Sequence, residues 1–284
     1  SGAAEKPVYL SIENGQAELR EAESLWGKDT NETEDILKEA HGEAKGRNGK
    51  PVEVACIGPA GENLSLLAAI INDKGRAAGR SGVGAVMGSK KLKAIVVSGT
   101  AEVPLADPEK AQALRKEYMK KTGGAHELFV DYGTIGITGD SAMSGDSPVK
   151  NWGGVGPVDF PTGAVNFKDE TVIAYQDKKY GCWRCTMACG GHMSVKEEGP
   201  YKGVAHHKVE YETAAAWGTM TLMDKFPPLI KINELCNKLG FDTIGTGCTA
   251  AFAVECYENG ILTKEDTDGL ELNWNNAEAL VALL

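Results

Sequence analysis

Cys182-Trp183-Arg184-Cys185-Thr186-Met187-Ala188-Cys189 sets three thiols at C-x2-C-x3-C spacing. Three thiolates on so short a loop can take three corners of one iron–sulfur cube, because each sulfur reaches a different iron. Gly181, Gly190 and Gly191 flank the loop and permit tight turns. Trp183 and Met187 are suited to shield a cluster from water. Structural zinc is the alternative; it usually draws paired ligands from two separated stretches, and the nearby candidates are His192, His206 and His207. The C-x3-C-x2-C order of radical enzymes is the reverse of this one. A cube needs a fourth ligand. Cys56, Cys236, Cys248 and Cys256 remain, but three of these sit on helix or strand patterns, where a buried thiol is simply a small apolar group.

A second segment, Arg76-Ala77-Ala78-Gly79-Arg80-Ser81-Gly82-Val83-Gly84-Ala85-Val86-Met87-Gly88-Ser89-Lys90, has the composition of a phosphate cradle. Glycines let backbone N–H groups approach an anion, and Arg and Lys neutralise it. The interval before Gly88-Ser89-Lys90 is wrong for a P-loop, and Met87 stands where a dinucleotide fingerprint needs its third glycine. Read alone, the segment indicates an anionic ligand of unknown type, with a structural turn as the equal alternative.

The surrounding elements must hold these two segments. The 284 residues suffice for two domains, and 42% hydrophobic with 25% charged residues is ordinary for a globular chain. Residues 6–12 alternate as a strand, and Glu13-Asn14-Gly15-Gln16 is a hairpin turn. Helical spacing runs from Thr30 to Ala40, with Gly42 past its end. Residues 52–57 and 94–97 read as further strands, and Leu64 to Asn72 as an apolar helix. Strands mixed with helices make 1–104 an α/β domain, and Pro104 to Pro108 a linker. Beyond it strand signals fade: 109–122 is a charged helix and 133–168 mostly loop. Pro227-Pro228 opens a helix that Gly240 closes, Thr246 to Asn259 forms the next, and a last one starts at Asn275 or Asn276. That helix reaches Leu284 without a cap, which suggests that sequence is missing. The expected fold class is α+β: a partial α/β domain at 1–104, then a mostly α-helical domain at 105–284 carrying the cysteines.

The formal net charge of −10 argues against a nucleic-acid partner. No apolar run approaches the roughly 20 residues that span a bilayer, and no secretory signal is visible, so a cytoplasmic protein with no membrane partner is expected. Seven cysteines, three of them within eight positions, read as metal binding in a reducing compartment.

Read together, the segments resemble the aldehyde ferredoxin oxidoreductase family. The resemblance is carried by Ile57-Gly58-Pro59-Ala60-Gly61-Glu62-Asn63, Ala78 to Lys90, Cys182 to Cys189, Glu210-Tyr211-Glu212 and Leu239-Gly240-Phe241-Asp242-Thr243-Ile244, in that order. It implies a tungsten (or molybdenum) bis-pterin cofactor beside a [4Fe–4S] cluster. Residues 1–104 would be the second half of the α/β base under the pterins, and 105–284 the first helical domain. Arg76, Ala77, Gly79, Arg80 and Gly82 would contact pterin and Mg2+ linked to its phosphates. Cys182, Cys185 and Cys189 would be three cluster ligands. The family's pterin motif, D-x-x-G-L-D or -C, reads here Asn237-Lys238-Leu239-Gly240-Phe241-Asp242. Asn for Asp and Phe for Leu are departures that imply altered contacts, not lost binding.

Glu212 matches an active-site glutamate that would accept a proton; a solvated carboxylate at a helix N-terminus beside Glu210 is the alternative. Lys231 stands where some members place a carboxylate on an intersubunit iron, so that iron is expected to be absent. His206 and His207 read as solvent-facing loop histidines. The fourth cluster ligand would come from missing domains or a partner subunit, leaving the isolated chain incomplete and inactive. The implied activity is oxidation of a small aldehyde to a carboxylic acid, with ferredoxin as electron acceptor. Two alternatives stand beside it: the active-site subunit of a related reductive complex, and an iron–sulfur electron-transfer subunit without tungsten.

Overall fold

Asn14 and Gly15 both take positive φ, 47° and 85°, which matches a two-residue turn to the right-handed twist of its strands. That turn joins β1 (Val8–Glu13) to β2 (Gln16–Glu21) as an antiparallel pair. The computed structural model describes all residues except 1, 45, 47–48, 122–126 and 184. It divides into two compact units: Ser1–Val103 with Leu235–Gly245, and Pro104–Glu234 with Thr246–Leu284. Leu235–Gly245 lies inside the stretch expected to be the helical domain, yet it belongs with the first unit.

The first unit is built on a six-stranded mixed sheet. Its remaining strands are β3 (Glu53–Cys56), β4 (Ile70–Asn72), β5 (Arg76–Ala78) and β6 (Leu92–Ser98), in the order β2-β1-β6-β3-β4-β5. β1 and β6 are parallel and the other pairs antiparallel. Helix α1 (Thr30–Ala40) starts on a capping box in which Asp29 accepts from the Glu32 amide at 2.8 Å and the Glu32 carboxylate accepts from the Asp29 amide at 3.2 Å. The buried face of α1 joins a core of Tyr9, Leu25, Leu37, Val52, Val54, Cys56, Ala94 and Val96. Short helices α2 (Pro59–Glu62) and α3 (Val83–Ser89) complete this unit with residues 235–245.

The helix expected over Leu64–Asn72 is not formed. Leu64 takes φ 60°, Leu66 is 85% exposed, and the segment ends in β4. Its backbone is committed elsewhere: the Leu67 carbonyl accepts from the Asp242 amide, the Ala68 carbonyl from Gly84, and the Ala69 amide donates to Gly240. A helix would withdraw those groups into its own ladder.

The second unit is mostly helical: α4 (Pro108–Lys121), α5 (Glu127–Asp131), α6 (Thr138–Ser144), α7 (Gly156–Asp159), α8 (Pro161–Asn166), α9 (Asp169–Tyr175) and α10 (Tyr211–Ala214). After these come α11 (Phe226–Leu239), which runs on into residues of the first unit, α12 (Thr243–Glu258), and α13 (Ala277–Ala282), capped by Asn276. The stretch 133–168, expected as loop, holds three of these short helices; small residues such as Gly139 and Gly163 pack closely there despite poor helix propensity. A three-stranded antiparallel sheet also appears where strand signals had faded: β7 (Gln176–Tyr180), β8 (Gly190–Ser194) and β9 (Ala205–His207). Polar residues dominate these strands, so hydrophobic alternation could not reveal them. The fold is α+β. Among the described residues no helix is long and apolar enough to cross a membrane.

Candidate functional site

Each unit carries its own group of candidate residues. In the first, α11 ends in a Schellman motif: the Phe241 amide donates to Cys236 at 2.7 Å and the Gly240 amide to Asn237 at 3.2 Å. Gly240 sits at φ 80°, and a Cβ there would lie 2.7 Å from the Gly58 nitrogen. Only glycine fits. Residues 240–242 are stitched to 67–69 by the Ala69-to-Gly240 and Asp242-to-Leu67 hydrogen bonds, both 2.8 Å.

Asp242 is the hub of this group. Its buried carboxylate accepts from the Gly245 amide at 2.9 Å and the Ile244 amide at 3.3 Å, capping α12, and it lies 3.7 Å from Arg80 Nε. A Cβ on Gly79 would approach the same carboxylate to 3.3 Å, and one on Gly82 (φ 66°) would meet the Leu66 carbonyl at 2.8 Å. Thus Gly79, Arg80, Gly82, Gly240, Phe241 and Asp242 gather around residues 66–69. Asn237 is buried one turn earlier on α11, its carbonyl accepting from Thr30 Oγ1 at 2.8 Å. Arg76 and Ala77 lie on β5, the edge strand, with Arg76 half-buried and Ala77 exposed. The group offers what an anionic, phosphate-bearing ligand needs: two guanidinium groups, one of them (Arg80) 65% exposed, and small edge residues that allow close approach.

Glu62 and Lys93, which sequence reasoning had not singled out as a pair, lie buried in the same unit. Lys93 is fully buried and donates to the Glu62 carboxylate and, at 2.8 Å, to the Lys28 carbonyl. The other Glu62 oxygen accepts from the Gly27 amide at 2.8 Å.

In the second unit the cysteines occupy the connection between β7 and β8, so a hairpin presents them. The loop closes on itself: the Cys185 amide donates to the Cys182 carbonyl at 2.9 Å, Ala188 takes φ 49°, and a Cβ on Gly181 would meet Ala188 at 3.2 Å. The Met187 and Ala188 amides donate to Cys185 Sγ and hold its pKa below the ordinary thiol range. Cys189 is half-buried, and desolvation together with Glu210 and the other two cysteines raises its pKa. Cys182, Cys185 and Trp183 are exposed, so the indole does not screen the loop from solvent. Among the described residues no three His, Cys, Asp or Glu side chains converge on one metal ion. A cube makes a different demand, since each thiolate stands on its own iron, and N–H donation to sulfur is how proteins support such thiolates. The donor set fits three corners of a cluster.

His206 and His207 are not solvent-facing loop residues. They belong to β9, are 7% and 8% exposed, and their rings pack 5.4 Å apart. His207 Nδ1 hydrogen-bonds the Tyr180 hydroxyl at 2.5 Å, its ring lies 4.8 Å from that of His192, and its carbonyl accepts from Asn233 at 2.9 Å. Strand pairing His192↔His207 sets the buried His207 against Tyr180, a contact that no local pattern announces. Glu212 sits exposed in the first turn of α10, which continues into a π-helical turn at Ala215–Thr219, a feature common near functional sites. Glu210 stands just before that helix, its side chain turned not to the helix amides but to Thr134 Oγ1, from which it accepts. Lys231 pairs with Glu234 at 2.7 Å. Lys208, buried beside Cys189, had also escaped notice; burial lowers its pKa, and the neighbouring Glu210 and Cys189 oppose that shift.

Comparison with known proteins bears on both groups. A family model described as "Aldehyde ferredoxin oxidoreductase, N-terminal domain" matches residues 1–99, and one described as "Aldehyde ferredoxin oxidoreductase, domains 2 & 3" matches 109–284. The tungsten-containing aldehyde ferredoxin oxidoreductases of Pyrococcus furiosus and Thermococcus kodakarensis are each 38% identical, across 98% of this chain and 44% of their own length. The aliphatic sulfonate oxidoreductase WOR-like subunit of Pyrococcus furiosus is 37% identical, across 100% of this chain and 46% of its own. The chain therefore spans less than half the length of these relatives. A solved structure, the active site complex BamBC of benzoyl coenzyme A reductase with 1,5 dienoyl-CoA, superposes with TM-score 0.78 at 25% identity, covering 99% of this chain and 42% of that one.

Proposed function

Because the chain belongs to the aldehyde ferredoxin oxidoreductase family, we propose that it serves the oxidation of a small aldehyde to a carboxylic acid, with ferredoxin as electron acceptor. The closed cysteine loop, held by the β7–β8 hairpin and by the Cys185 amide on the Cys182 carbonyl at 2.9 Å, is the observation that carries this reading. When bound, the tungsten (or molybdenum) bis-pterin supplies the two-electron chemistry, RCHO + H2O → RCOOH + 2 H+ + 2 e−, beside a [4Fe–4S] cluster that passes electrons singly.

This chain's own residues have narrower tasks. Arg76 and Arg80 would neutralise the pterin's phosphate groups, sharing that task with any bound Mg2+. Ala77, Gly79 and Gly82 would let the ligand come close, and Asn237, Gly240, Phe241 and Asp242 would meet it from the segment stitched to residues 67–69. Cys182, Cys185 and Cys189 hold three irons. The resemblance implies that the fourth ligand comes from another part of the protein or from a partner subunit; in this chain Cys56, Cys236 and Cys256 are buried as apolar groups, and the half-buried Cys248 lies 3.8 Å from Met220 Sδ. Glu212 accepts the proton released at the aldehyde hydrate.

The test uses full-length protein assembled anaerobically with tungstate. Aldehyde-dependent reduction of ferredoxin is expected, and Glu212→Gln should lower kcat by about 10²–10⁴-fold, the usual worth of a positioned general base. Unchanged turnover in that variant would remove Glu212 from the mechanism. A second reading, the active-site subunit of a reductive complex, is favoured by the superposition on BamBC across 99% of the chain. Reduction of an aromatic thioester by the assembled protein, with no activity on aldehydes, would select it.

A further inference from the structure

We propose that Lys208 and Glu210 place opposite charges beside Cys189 that together set the reduction potential of the cluster held by this loop, a proposal that rests on the iron–sulfur reading above. A buried lysine is costly unless its charge is balanced. Lys208 is 3% exposed, and its ammonium donates to an uncharged acceptor, Gln176 Oε1, at 3.0 Å. Among the described residues no carboxylate reaches ion-pair distance of it.

The placement is built from several elements. The Lys208 amide donates to the Gly191 carbonyl at 2.7 Å, tying the residue to the start of β8 and so to the end of the cysteine loop. A Cβ on Gly133 would lie 2.7 Å from both Lys208 Nζ and the Cys189 carbonyl. The ammonium and the Cys189 backbone therefore flank one glycine, and a side chain there would push them apart. Glu210, two residues on, accepts from the hydroxyl of Thr134, the residue after Gly133, which brings a carboxylate to the same end of the cysteine loop.

The redox step is addition of one electron, [4Fe–4S]2+ to [4Fe–4S]+, with no covalent bond made or broken; dithionite supplies the electron in the test. It adds one negative charge. A nearby fixed ammonium favours that charge and raises the potential, and a carboxylate lowers it.

The experiment is an anaerobic dithionite titration of the full-length holoprotein, followed by the electron paramagnetic resonance of the reduced cluster. Lys208→Gln is expected to disfavour reduction about tenfold, a fall of about 59 mV for one electron. Lys208→Arg keeps the charge and should stay near the wild-type midpoint. Glu210→Gln should shift it upward, and reads the same field should Lys208→Gln fail to fold. Opposite shifts at unchanged iron content are beyond a merely structural role. Full iron content with unmoved midpoints, or shifts of the same sign, overturns the assignment of opposing charges alone. A wild-type holoprotein without any cluster signal overturns the iron–sulfur reading, and this proposal with it.

Discussion

Cys185 exposes a sulfur whose pKa is lowered by two amides, whereas burial pushes the Cys56 thiol up to about 12 and raises Cys236 further. Thiolate is the reactive form. In metal-free protein, iodoacetamide should therefore label Cys182 and Cys185 well before Cys56 and Cys236, as peptide mass spectrometry would read. Early labelling of Cys56 would mean that the sheet core is open. His41 gives a pH test in the first unit. It is buried against the Tyr9 hydroxyl at 3.1 Å, and desolvation, then Arg20, holds its pKa below 6.5. The folded state thus prefers neutral imidazole. Its contribution is complete above the unfolded value of about 6.5 and is lost as pH falls through the lower folded one. Urea midpoints should drop across that window in the wild type and less so in His41→Gln; parallel pH profiles would rule the residue out.

At the scale of elements, the Lys93–Glu62 pair ties β6, α2 and the loop before α1 together. Lys93→Met leaves Glu62 buried without its cation and should cost about 3–5 kcal/mol, seen in denaturant unfolding. A loss under about 1 kcal/mol would show that Glu62 finds water instead. Gly240→Ala should destabilise through a positive φ that costs about 1–2 kcal/mol and a Cβ meeting the Gly58 nitrogen. Elements with strong punctuation were legible beforehand: the Asn14-Gly15 hairpin, the capped α1, and α11 between Pro227 and Gly240. Leu64–Asn72 was misread because its apolar residues suit a helix, while its backbone is claimed by Gly84, Gly240 and Asp242, up to 175 positions along the chain. The cysteine spacing was visible, but not the hairpin around it, since β7 is Gln-Asp-Lys-Lys-Tyr. Lys208 and the buried histidines could not be read, because burial there depends on strand pairing and not on composition.

At the scale of the whole molecule, the candidate cradle is assembled from Arg76–Gly82 and Asn237–Asp242, two segments far apart in sequence but within one compact unit. The cysteine loop, Lys208, Glu210 and Glu212 belong to the other. The proposed function would give these two groups a common purpose: to hold a pterin-bound metal and the cluster that relays its electrons. Metal analysis of the full-length protein, isolated without oxygen, tests that purpose most directly. The account predicts about four irons and about one tungsten or molybdenum per chain. Iron and sulfide with neither tungsten nor molybdenum would contradict it and leave an electron-transfer subunit in its place.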